Sequence, residues 1–219
     1  MNAPRNLAGA TPAPSRNLPG SVPASNRDTV SPSDAASASA SPVNYGGAAT
    51  PVGFREIRYD LCVGSGAALH AEVMADVDSW RLHHESGLLV SANGAASEIV
   101  GETIRMRYRP LRRTVPITIT TVHCAILWAG EPPEGPGLDL LPGSIDRGFG
   151  YEADPRHREE GQEHFLITHE PDGTVWFRLR GFWRPRAPRW SPIYPLTLLG
   201  QSYASHGYLR ALRRLTQQR

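Results

Sequence analysis

The stretch Leu196–Gln217, LTLLGQSYASHGYLRALRRLTQ, decides how the rest of the chain is read. Leu198, Ser202, Ser205, Leu209 and Leu212 recur at helical spacing and form one stripe. Pro195 stands just ahead of it, where a helix start tolerates a missing N–H. At 1.5 Å per residue the predicted helix is roughly 30 Å long. A second stripe is small: Gly200, Ala204, Gly207 and Ala211. Glycine inside a helix costs about 1 kcal/mol relative to alanine, so two on one face call for a reason. Either the backbone packs tightly on a sheet, or the missing side chains leave room for a cavity. Arg210, Arg213 and Arg214 complement the negative end of the helix dipole.

Upstream of this helix the dominant period is two. Glu163–His169 and Thr174–Trp183 flank Glu170-Pro171-Asp172-Gly173, a strong hairpin signal. In the second arm Val175, Phe177, Leu179 and Trp183 share a face if the alternation runs through Gly181, with Arg178 and Arg180 opposite. In Glu102–Arg109, Ile104, Met106 and Tyr108 alternate with Arg105, Arg107 and Arg109, which predicts a half-buried antiparallel strand with a basic outer face. Val115–Trp128 is a long β-branched run, and another strand begins at Gly148–Tyr151. Phe54–Cys62 reads as the first strand, ended by Gly64 and Gly66. Ala67–Leu82, with Leu69, Val73, Val77 and Trp80, reads as one short amphipathic helix. The order predicts an α+β fold: a curved antiparallel sheet wrapped around the C-terminal helix.

Composition sets further bounds. The chain has 219 residues, and all 23 of its basic residues are Arg. With no Lys there is no Schiff-base lysine, phosphate-loop lysine or Ser–Lys dyad. Two Cys make no disulfide framework. No run approaches 18 apolar residues, so no transmembrane helix is expected. Without an export signal a cytoplasmic location is expected. Residues 1–52 hold 11 Ala, 8 Pro and 8 Ser, too few apolar groups to offset ordering, and read as a disordered tail. Residues 53–219 then form a single domain. Within it, residues 53–172 carry 11 Arg and 19 acids, whereas 173–219 carry 9 Arg and no acid. Much of that basic charge is expected to be matched internally, and no nucleic-acid partner is expected.

The most distinctive segment is Gly148-Phe149-Gly150-Tyr151, then Pro155, His157, Glu159 and Gly161-Gln162-Glu163-His164-Phe165. It resembles the central signature of the domain-of-unknown-function family nineteen-ninety. Trp80, Cys124, Asp172-Gly173, Arg184-Pro185, Gln201 and Tyr208–Leu212 extend the resemblance over about residues 54–215. The sequence departs from the family's pattern at Glu152-Ala153-Asp154, Arg156, Arg158, Gln162 and Trp183. The element order is similar to START-like helix-grip proteins. That resemblance implies a scaffold and assigns no reaction.

His157, Glu159 and Glu163 are residue types suited to proton transfer, and with Tyr151 and Cys124 they could line a pocket. The plainer alternative is that they cap a loop and bind its backbone. Tyr108, Gln201 and Tyr208 complete the expected ligand contacts, and Phe165, Phe177, Trp183 and Tyr203 add aromatic surface. His83-His84-Glu85 and His123-Cys124 offer adjacent donors that diverge, so no metal or other cofactor is expected. Ser65 lacks the full nucleophile elbow, and Cys62 and Cys124 read as ordinary strand residues. Glu131–Ile145, rich in Pro and Gly with three leucines, reads either as a mobile flap over one end of a cavity or as a surface insertion. The expected function is binding of a small hydrophobic molecule between sheet and C-terminal helix. The alternatives are an enzyme of cyclase or hydrolase type using His157 and a carboxylate, and a peripheral protein whose Arg-rich C-terminal region meets anionic membranes. Oligomeric state cannot be read from the sequence.

Overall fold

Strand alternation builds one sheet. A computed structural model describes residues 42–109 and 120–218. Within them run β1 (Arg55–Ser65), β2 (Leu88–Ser91), β3 (Thr103–Tyr108), β4 (Thr120–Gly130), β5 (Ile145–Ala153), β6 (Glu159–His169) and β7 (Thr174–Pro185). Their order is β1-β7-β6-β5-β4-β3-β2, every pair antiparallel. Helices α1 (Ala67–Asp78) and α2 (Arg81–Ser86) follow β1, and α3 (Tyr194–Gln217) closes the chain. This is the helix-grip α+β plan. The start of the predicted fourth strand, residues 115–119, lies outside the described residues.

Inward-facing side chains follow the predicted alternation. Ile104 and Met106 are buried while Arg105 and Arg107 are exposed. Val175, Phe177, Leu179 and Trp183 are buried in the main core, so the period does run through Gly181. Arg178 and Arg180 lie on the other face yet are also buried. The register explains this, because Asp60 on β1 sits opposite Arg178. Asp60 accepts from the Arg180 guanidinium at 2.6 Å, and Arg178 pairs with Glu170. Glu160 pairs with Arg184 and Arg186, so at least four C-terminal arginines are matched internally.

The predicted helix Ala67–Leu82 is in fact two. Trp80 adopts a left-handed conformation (φ 66°) and ends α1. For a non-glycine residue this costs roughly 1–2 kcal/mol. Burial offsets it: Trp80 is 4% exposed, stacks edge-on against Phe149, and donates its indole N–H to the Gly94 carbonyl at 2.9 Å. The turn lets α2 pack along α3.

On the outer face of the sheet one expectation is corrected and one open alternative is decided. Residues 1–41 lie outside the described residues, but Pro42–Gly47, read as tail, belong to the fold. Tyr45 is fully buried against Trp128 and Leu166. Its backbone N–H donates to the Pro136 carbonyl at 2.9 Å, and its hydroxyl to that of Pro133 at 3.0 Å. The Glu131–Ile145 loop is therefore pinned by this strap on the face opposite the main core, with Leu138 packed there. It does not cover the cavity, whose lining includes none of its residues. The apolar groups of both segments bury each other, which neither could do alone.

Candidate ligand cavity

Between the inner face of the sheet and the N-terminal half of α3 lies a cavity of about 580 Å³. Ile57, Leu88, Met106, Val122 and Trp183 give it apolar walls, and Leu196 and Leu199 of α3 close one side. All eight residues singled out from the sequence line it: Tyr108, Cys124, Tyr151, His157, Glu159, Glu163, Gln201 and Tyr208. Strand pairing brings several together. Tyr151 and Glu163 are direct register partners on β5 and β6, and Cys124 and Ile126 of β4 lie alongside. Gln201 and Tyr208 are seven residues apart, two turns along one helix face. Trp183 and Tyr203 also line the space, whereas Phe165 and Phe177 lie beneath it in the packed core.

The small-residue stripe of α3 divides between its two readings. Gly200 and Ala204 border the cavity, and a Cβ on Gly200 would meet nothing within 4 Å. Gly207 and Ala211 are buried, and a Cβ on Gly207 would touch Ser86 at the end of α2. One half of the stripe leaves space and the other packs.

The polar groups form a connected set around Glu163. The Tyr151 hydroxyl donates to Glu163 Oε2 at 2.5 Å, and the Gln201 side-chain amide donates to Oε1 at 3.1 Å. With its proton used on Glu163, Tyr151 accepts from the Tyr208 hydroxyl at 3.2 Å. Burial pushes the Glu163 carboxyl up to about 7, against the pull of these two donors. Burial and then the charge of Glu163 push Glu159 up to about 8. His157 Nδ1 accepts the Glu159 backbone N–H at 2.9 Å, which leaves the ring proton on Nε2. Burial pushes this imidazole down to about 4. Burial also raises the thiol of Cys124, which is 2% exposed, and the Tyr151 and Tyr208 phenols. The groups able to exchange protons near neutral pH are thus the two carboxyls rather than His157.

Two histidines have surroundings that the sequence does not indicate. His83 is fully buried among Trp80, Phe149, Phe165 and Tyr208, and among the described residues neither ring nitrogen has a hydrogen-bond partner. Burial pushes it down to about 3. His164 lies on the outer face, where Nδ1 accepts the Trp128 indole N–H at 3.1 Å and Nε2 donates to the Asn44 carbonyl at 3.1 Å. Gly150 lies beneath that contact, since a Cβ there would sit 2.1 Å from His164 Nδ1. A β-bulge between Ile126 and Trp128 turns the tryptophan outward to meet it.

Among the described residues no group of three His, Cys, Asp or Glu side chains could hold a metal ion, and no helix is long and apolar enough to cross a membrane. Cys62 is exposed and both cysteines are free.

Comparison with solved structures finds similar proteins at low identity. A crystal structure from Deinococcus radiodurans is 14% identical, covering 74% of this chain and 95% of that one, with a TM-score of 0.39. Ara h 8.0201 is 10% identical over 76% of this chain and 100% of that one, with a TM-score of 0.42. A hypothetical protein from Helicobacter pylori is 10% identical over 74% and 87%, also with a TM-score of 0.42. No curated protein matches the chain. Residues 37–211, from just ahead of the Tyr45 strap to the last turns of α3, match the family described as Domain of unknown function (DUF1990), and the chain belongs to that family.

Proposed function

We propose that the protein binds a small, mainly apolar molecule in this cavity. The observation that carries the reading is a space of about 580 Å³ with apolar walls and one polar group cluster around Glu163. Pockets of roughly 300–1,000 Å³ built this way hold small ligands, with apolar contact giving affinity and few polar groups giving orientation. Proteins purified without denaturant retain such molecules, so solvent extraction followed by mass spectrometry identifies the ligand. Nile red, an uncharged apolar dye, should bind at one site and be excluded by Gly200→Leu or Ala204→Phe, which fill the helix side. Equal dye uptake by these variants and the parent would overturn the reading.

A second reading is favoured by the surface beside the opening. Trp190, Leu196 and Leu199 are 85%, 66% and 68% exposed. No acidic residue follows Asp172, and Arg189 lies beside Trp190. This edge suits an anionic membrane surface, with arginines at the headgroups and the apolar side chains at the acyl boundary. Sedimentation with phosphatidylcholine vesicles, with and without phosphatidylglycerol, tests it. Binding should require the anionic lipid and weaken with salt; indifference to both would remove the reading.

A further inference from the structure

We propose that the molecule held in the cavity carries a protonated amine, which sits against Glu159 and Glu163. This rests on the cavity being a ligand site, and it names the chemical class that site selects. The hydrogen-bond chain runs one way: Tyr208 donates to Tyr151, Tyr151 to Glu163, and Gln201 to the other Glu163 oxygen. Every donor points at Glu163, the pattern that suits an ionised carboxylate. The Glu159 carboxyl, four residues along β6, has no hydrogen-bond donor among the described residues, although its residue lines the cavity.

Among the described residues the site has no cation against its carboxyls. The chain has no lysine. Among the described residues no arginine lies within 4 Å of either carboxylate, and the nearby Glu160 takes both Arg184 and Arg186. Arg158 also lines the cavity but is exposed, at its rim. A carboxylate charge buried without a partner is costly, and an alkylammonium, with its N–H donors, supplies both charge and hydrogen bonds. An alcohol of the same shape gives hydrogen bonds without charge, and a carboxylic acid adds a like charge. The apolar walls take the hydrocarbon part, so the class is an amphiphilic amine.

Proton uptake supports the assignment. The groups facing the two carboxyls are Cys124 on β4, Tyr151 on β5, His157 and Arg158 in the β5–β6 connection, and Tyr208 and Gln201 on α3. The thiol and both phenols are held up and His157 is held down to about 4. Near pH 7 in the empty cavity Glu159, at about 8, therefore keeps most of its proton and Glu163, at about 7, is divided between its ionised and protonated forms, so a bound ammonium would displace protons.

Isothermal titration with decylamine, decanol and decanoic acid tests this. Decylamine should bind at least tenfold tighter than decanol, with decanoic acid weakest. Its apparent enthalpy at pH 7 should differ between phosphate and Tris buffers because protons are released. Glu159→Gln and Glu163→Gln should each cut the preference for decylamine over decanol at least fivefold, with far-ultraviolet circular dichroism reporting that the variants fold. Equal affinity for amine and alcohol, or preference for the acid, would overturn the amine assignment and leave the cavity reading standing. Failure of all three compounds and of Nile red would overturn both.

Discussion

Tyr151 and Glu163 stand directly opposite each other on paired antiparallel strands, and the phenol donates to the carboxylate at 2.5 Å. The sheet's own register therefore sets the polar end of the cavity, and α3 only adds Gln201 and Tyr208 to it. A titratable group is thus held on paired central strands rather than on a loop, and sites built on strands are oriented more precisely than sites on loops.

Tyr151 is the middle of that chain, so its loss should exceed that of its ends. Tyr151→Phe leaves the Tyr208 hydroxyl without an acceptor and removes the shortest bond to Glu163. Orphaning buried polar groups costs about 1–3 kcal/mol each. Urea unfolding should show Tyr151→Phe destabilised clearly more than Tyr208→Phe. Equal losses would mean that the hydroxyls act independently.

The buried titratable groups set opposing limits on stability with pH. His83, His157 and His164 are held down to about 3, about 4 and about 4, so the unfolded chain takes up their protons first and stability falls as pH drops from about 6.5 toward 4. Glu159 and Glu163 are raised to about 8 and about 7, so the empty protein keeps protons that the unfolded chain releases, and stability falls as pH rises toward 8. Melting temperature without ligand should peak near about pH 6.5, where the limbs cross. Glu159 opposes stability from about pH 4.5 to 8, so Glu159→Gln should flatten the alkaline limb, steepen the acid limb and move the optimum upward. A melting temperature rising steadily from pH 6 to 8 would contradict this account of the carboxyls.

Gly150 owes its place to the outer face rather than to the cavity. A Cβ there would meet His164 Nδ1 at 2.1 Å and Trp128 Nε1 at 2.5 Å. Gly150→Ala should break the Trp128–His164 hydrogen bond and cost about 1–3 kcal/mol by overpacking. Lower urea midpoints and faster proteolysis of the segment around Tyr45 are the expected signs. An unchanged midpoint would show that the pair moves aside freely.

Legibility in the sequence followed physical range. The strands and the terminal helix could be read because their periods are local and strong, as in Ile104-Arg105-Met106-Arg107 or Val175 to Trp183. Seven of the eight cavity residues could be gathered because motif resemblance carried what spacing could not, and Tyr108 by the alternation of its strand. Ala67–Leu82 reads as one helix because a left-handed residue inside a helical pattern leaves no local mark; only the burial of Trp80 under Phe149 makes the break worthwhile. β2, four residues long, is too short to show a period. Tyr45 was lost in an Ala- and Ser-rich context, although its partners, Trp128 and the Pro133 carbonyl, lie more than 80 residues away. Flap and surface insertion stay open for Glu131–Ile145 in the sequence for the same reason, since nothing local says which face of a sheet a loop covers.

The Tyr45 strap gives a direct test of where the domain begins. A chain starting at Pro42 keeps the Tyr45 ring on Trp128 and the Asn44 contacts to Gln162 and His164; one starting at Gly53 uncovers Trp128 and Leu166 and leaves His164 Nε2 without its Asn44 partner, while Nδ1 keeps the Trp128 indole. Truncating a buried large aromatic costs about 3–5 kcal/mol, so Tyr45→Ala alone should reproduce most of the loss. The chain from Gly53 should unfold at lower urea, with tryptophan emission shifted to the red in its native baseline. Because the strap lies on the face opposite the cavity, Nile red uptake by the folded fraction should not change. Equal stability of the two chains would return the boundary to residue 52, and a coupled loss of dye binding in folded protein would show that the outer face supports the cavity through the sheet.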